Sequence, residues 1–104
     1  MSGTLDAMIL EKAVEIWRDP NSRMTGSMRD KREGRYCAVG VLIEAQEQIT
    51  GKLAVFERDW DKLVQRIGYN DWLDVARMND KNGRFFGQRY LYWRMKRALK
   101  KARA

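Results

Sequence analysis

Apolar positions cluster most densely at 37–43, where Cys-Ala-Val-Gly-Val-Leu-Ile carries no charge and no strongly polar group. No other stretch goes so long without water-seeking side chains, so the pattern places it at the buried centre. Cys37, Ala38 and Gly40 are small enough to admit a neighbouring backbone, while Val39, Val41, Leu42 and Ile43 supply apolar volume. From Glu44 the stretch turns polar but keeps Ala45 and Ile49 in register, and Thr50-Gly51 reads as a helical stop. A central apolar helix over about 36–50 follows.

Other segments show the three- and four-residue spacing of amphipathic helices. Thr4 can cap a first helix over 5–18, with Leu5, Met8, Ile9, Ala13, Ile16 and Trp17 on its apolar face and Asp19-Pro20-Asn21 ending it. A polar loop over about 19–36 comes next, with Met24 and Met28 laid back on the body. Residues 52–56 fit either an extended lead-in or a helix start. Asp59 then opens a helix with Trp60, Leu63, Val64 and Ile67 on one face and Gly68 as its stop. Asn70 or Asp71 caps a short helix to Met78 that buries Trp72, Val75 and Ala76. The run 78–83 reads as a tight turn in which Asn79 or Asp80 bonds to amides across it. A final helix over about 85–102 docks through Gly87, Leu91, Met95, Ala98, Leu99 and Ala102, with Phe85 and Phe86 anchoring its start. The expectation is an all-α protein, residues 1–104 forming one small domain of four or five helices packed around the central one.

Composition narrows the chemistry. The chain of 104 residues has room for one modest core, and 44% apolar with 34% charged residues argues against wholesale disorder. No apolar run approaches the roughly 18 residues of a membrane span, so a cytoplasmic protein is expected. Histidine is absent, which removes Ser-His-Asp and Cys-His catalysis and the commonest zinc ligand sets. Cys37 is the only cysteine and sits in the most apolar stretch, as a small core residue would. Glu57, Asp59 and Asp61 suit the start of a helix dipole better than a metal, and 78–83 lacks calcium-loop spacing. Neither a catalytic site nor a metal or other cofactor is expected.

Charge placement is more telling than the net charge of +7. Residues 1–80 hold 12 Lys+Arg against 14 Asp+Glu, whereas residues 81–104 hold nine cations and no acid. On the final helix, Arg89, Trp93, Lys96, Lys100 and Arg103 fall opposite the docking face, with Tyr90, Arg94, Arg97 and Lys101 beside them; Tyr92 has no clear side. Cations interleaved with aromatics suit phosphates and stacked rings, and a solvated face normally mixes both signs. Arg23, Arg29, Lys31, Arg32 and Arg35 in the 19–36 loop could assist. The partner implied is nucleic acid or an acidic protein surface.

The order of elements, with Cys37-x-x-Gly40-x-Leu42 in the segment 34–42 and Asn79-Asp80 before an aromatic-initiated last helix, resembles small uncharacterised helical proteins of bacteriophages and prophages. The resemblance implies an all-helical phage-type protein of the bacterial cytoplasm and carries no chemistry with it. Taken with the charge layout, it leads to a non-catalytic accessory protein that associates with nucleic acid or nucleoprotein through its last helix. The alternative is a small phage protein that binds or inhibits a host or virion protein through the same surface.

Overall fold

The computed structural model describes residues 4–25, 28–81 and 83–103, with the backbone alone at 4 and 83–85. Five α-helices account for most of it: α1 (Thr4–Trp17), α2 (Ala38–Thr50), α3 (Glu57–Gln65), α4 (Trp72–Asp80) and α5 (Gly83–Arg103). The all-α expectation holds, with α2 at the centre. The Thr4 cap, the turn at Asn82 and the Phe85 anchor lie outside the described residues.

Helix α2 is buried on every side from Ala38 to Ala45, as a helix without a polar face must be. Its first turn is capped twice. The Cys37 sulfur accepts from the Gly40 amide at 3.3 Å, and the Asn79 Oδ1 accepts from the Ala38 amide at 3.1 Å. Gly51, at φ 75°, takes the left-handed turn that closes the helix.

The 19–36 segment is more structured than its polar composition suggests. Asp19 caps a short 3-10 turn, Pro20–Ser22, and a two-stranded hairpin follows, β1 (Arg29–Asp30) paired antiparallel with β2 (Arg35–Tyr36). The hairpin rests on α2 at backbone distance. A Cβ added at Gly40 would stand 1.7 Å from the Met28 carbonyl oxygen, which already accepts from the Cys37 amide at 2.9 Å. The Tyr36 carbonyl accepts both the Met24 amide at 3.0 Å and the Trp17 indole N–H at 2.9 Å, pinning the hairpin to α1. Backbone pairing with buried partners orders this stretch, and composition does not record such partners.

The buried face of α1 differs from the expected one. Ile9, Leu10, Ala13, Val14 and Trp17 are buried, whereas Leu5 and Met8 are about half exposed, at 51% and 48%. The helix is apolar over more than one stripe, so periodicity permits two faces; packing against α2 and α5 selects the one containing Leu10 and Val14.

Residues 52–56 form no helix, Phe56 is extended, and the Ala54 carbonyl accepts the Trp60 indole N–H at 2.8 Å. Asp71 caps α4 through the Leu73 amide, and Trp72 meets Trp60 edge to face at 5.1 Å. The turn expected at 78–83 begins later than periodicity indicates, since α4 runs on through Asp80. Asn79 consequently does not bridge that turn but reaches the start of α2. Helix α5 packs on α1 and α4, burying Gly87, Gln88, Leu91, Met95 and Leu99. A Cβ at Gly87 would fall 1.7 Å from the Met78 carbonyl oxygen, so α5 crosses α4 in close contact. Phe86 does not anchor the helix start: it is 61% exposed, on the outward stripe with Trp93.

Candidate anion-binding face of the last helix

Helix α5 runs 21 residues because its sequence combines good helix formers with one apolar stripe and contains no proline. Burial of that stripe turns the opposite side outward. Arg89, Trp93, Lys96, Arg97, Lys100, Lys101 and Arg103 are all exposed, while Tyr90 and Arg94 are half-buried along its edge. Arg103 is paired with Glu11 of α1. Among the described residues, no carboxylate lies within ion-pair distance of Arg89, Lys96, Arg97, Lys100 or Lys101.

The helix dipole explains only part of this. Cations in the last turn (Lys100, Lys101 and Arg103) meet the negative end of the dipole and stabilise α5. Lys81, Arg84 and Arg89 stand before or early in the helix, where the dipole disfavours positive charge. Helix stability alone would not select them.

Two rows of rings and cations flank the face. On one side the Arg23 guanidinium lies between Trp17 and Tyr92, 5.3 and 4.9 Å from the ring centroids, and the Lys96 ammonium is 4.8 Å from the Tyr92 ring. Arg23 is held there by two bonds to the Trp17 carbonyl, from Nε at 3.0 Å and Nη2 at 2.9 Å. Burial lowers its pKa from the usual arginine value. On the other side Arg94 lies 4.7 Å from the Tyr69 ring and 5.8 Å from Tyr90, donating to the Ile67 carbonyl at 2.9 Å and the Tyr90 hydroxyl at 3.0 Å. Its guanidinium fills the space beside Gly68, where a Cβ would meet Nη2 at 2.2 Å. Trp93 stands inside this row, 5.9 Å from Tyr90 and 5.4 Å from the Arg97 guanidinium.

Between the rows Trp93, 47% exposed, forms a ridge with an open recess on either side. One recess, about 370 Å³, is lined by Arg23, Arg89, Tyr92, Trp93 and Lys96. The other, about 430 Å³, is lined by the end of α3 with Trp93, Arg94, Arg97 and Lys101.

The cations of the 19–36 segment do not act as a group. Arg29 pairs with Glu44 at 3.0 Å and Glu47 at 3.6 Å, and Lys31 pairs with Glu47 at 2.8 Å and Glu44 at 3.7 Å. These two neutralise acids of α2, and the expectation of a loop contribution from them is corrected accordingly. Arg32 is exposed and Arg35 half-buried. Arg23 stacks on Tyr92 of α5. Sequence periodicity missed Tyr92, whose ring carries two cations; the four-residue step from Tyr92 to Lys96 was the available sign. It also treated Arg94 as an outward cation, although its guanidinium is committed to Ile67 and Tyr90.

Elsewhere, Cys37 is buried, and burial raises its thiol pKa above the ordinary value, opposite to what a reactive thiol needs. Comparison with protein-family models, curated proteins and solved structures returned no match.

Proposed function

We propose that this protein is a non-catalytic, phage-type accessory protein of the bacterial cytoplasm that associates with nucleic acid or nucleoprotein through the exposed face of α5. The observation that carries this reading is the set of five exposed cations, Arg89, Lys96, Arg97, Lys100 and Lys101, with no carboxylate beside them among the described residues. Several cations elsewhere are paired, Arg29 and Lys31 with Glu44 and Glu47, Arg66 with Asp6 and Arg77 with Asp74, whereas this face gathers five without a carboxylate partner on one helix flank.

Such a face grips phosphates by charge and releases their condensed counterions. Its side chains are spread along one helix flank and give no arrangement for reading base edges, so affinity should depend on salt far more than on sequence. With up to five phosphates neutralised, log affinity for duplex should fall against log salt with a slope of up to about −4.5.

Gel shifts with the quadruple variant Lys96→Gln, Arg97→Gln, Lys100→Gln and Lys101→Gln test the assignment. Glutamine removes charge without placing acid at the C-terminus of α5, so the helix should persist by circular dichroism. Binding is expected to fall at least tenfold; retention of wild-type affinity by the folded variant would remove α5 from the account. A stoichiometric protein captured from nuclease-treated bacterial lysate, and lost with the same variant, would instead favour an acidic protein as the occupant.

A further inference from the structure

The Trp93 ridge bears on which form of nucleic acid this face takes. An indole 47% exposed in the middle of a cationic surface forgoes burial that the body provides to Trp17 and Trp60. Those two indoles donate to the Tyr36 and Ala54 carbonyls, whereas the Trp93 N–H has no partner among the described residues. Phe86, 61% exposed, precedes Trp93 by seven residues on the same stripe, about 10 Å along the helix. Rings therefore punctuate a surface whose cations stand to either side.

Resting on the reading above, we infer that the nucleic acid held is single-stranded, with an unpaired base stacked on Trp93 and adjoining phosphates seated in the two flanking recesses, by Arg23, Arg89 and Lys96 on one side and Arg97 and Lys101 on the other. A single strand offers phosphate, then base, then phosphate, and this face offers cation, ring, cation. In a duplex the bases are already stacked on one another, and a projecting indole would meet sugar and phosphate without gain. Arg97, exposed over the Trp93 ring, gives way to the base and turns to phosphate. Stacking of this kind tolerates any base, because every base presents a π face.

Fluorescence anisotropy with four probes tests this: a labelled thymidine strand, an abasic strand of equal length, a duplex of equal length, and heparin as competitor. Trp93→Ala is expected to weaken binding of the thymidine strand about tenfold, to leave the abasic strand, duplex and heparin unchanged, and to be largely rescued by Trp93→Phe. Position 93 is exposed, and an unchanged urea midpoint would show that the variant keeps its fold. Equal affinity of wild type and Trp93→Ala for the thymidine strand would overturn the inference, as would an equal loss on all four probes. Either result with wild-type binding to duplex and heparin intact leaves the charge-based reading standing. Failure of the wild-type protein to bind any of the four overturns both.

Discussion

Asn79 connects more of the fold than any other polar side chain described. Its Oδ1 caps the Ala38 amide, and its Nδ2 donates to the Met24 carbonyl at 3.1 Å and the Asp80 carboxylate at 3.0 Å. Gln88, also buried, donates to the same Met24 carbonyl at 2.9 Å. Removing these bonds strands buried groups at the start of α2, so Asn79→Ala should destabilise the protein by about 2 kcal/mol in urea titrations. Asn79→Asp should be similarly costly, because a carboxylate oxygen would then face the Met24 carbonyl with no hydrogen to offer. A loss too small to resolve in either variant would show that water replaces these bonds freely. Gly40→Ala is the packing counterpart. Its added Cβ cannot coexist with the Met28 carbonyl, so despite a helix-propensity gain of up to ~1 kcal/mol the net effect should be a destabilisation of about 2 kcal/mol. Cys37 should react slowly with a disulfide probe near pH 8 in the native protein, since burial holds the thiolate fraction below that of an ordinary cysteine, and at full rate in denaturant.

The hairpin and α2 are joined at the level of elements by four charges. Glu44 is buried to 4% exposure, and accepts from Arg29 at 3.0 Å and from Gln48 at 2.8 Å. Removing one partner of such a pair is not symmetric. Arg29→Met leaves a buried carboxylate with the Gln48 amide and, as its one remaining cation, the more distant Lys31, and should cost on the order of 2 kcal/mol, below a fully sealed pair. Glu44→Gln leaves Arg29 able to reach Glu47 and water, and should cost clearly less; equal losses would show that Glu44 is not dependent on Arg29. The outer pair contributes a pH dependence. The hydrogen bond from Lys31 holds the Glu47 carboxyl below its ordinary pKa, and the same bond raises Lys31. Stability from Glu47 is present above the ordinary carboxylate value and lost as pH falls through its lowered folded value. That from Lys31 is present below the ordinary lysine value and lost as pH rises through its raised one. The difference in melting temperature between wild type and Lys31→Gln should therefore be greatest on the mid-pH plateau and close at both ends.

On the scale of the molecule, a body of net −2 carries nine cations on its last 24 residues, and α1 neutralises one of them through Glu11. Glu11→Gln should free Arg103 for the anionic partner. The slope of log affinity against log salt should steepen by about one, and affinity at low salt should rise. Antiparallel packing places this device. Trp17 meets Tyr92 through Arg23 while Glu11 meets Arg103, so α1 runs back along α5 and leaves its opposite flank to solvent. No helix among the described residues is long and apolar enough to cross a membrane.

Much of this was legible in the chain because local rules govern it. The 37–43 run made α2 the centre, Gly51 and Asp71 marked real helix ends, and the stripe from Gly87 to Leu99 turned the basic side of α5 outward. Those features depend on spacing and on single-residue backbone preferences, which the chain carries by itself. Tertiary contact decided which of two apolar stripes α1 buries, that Arg29 and Lys31 serve Glu44 and Glu47, that Arg23 joins the α5 face, and that Asn79 caps a helix 41 residues away. Each of these is a choice among partners of equal local merit, settled only when distant segments meet and a buried charge or amide must find whichever group the packing has brought within reach.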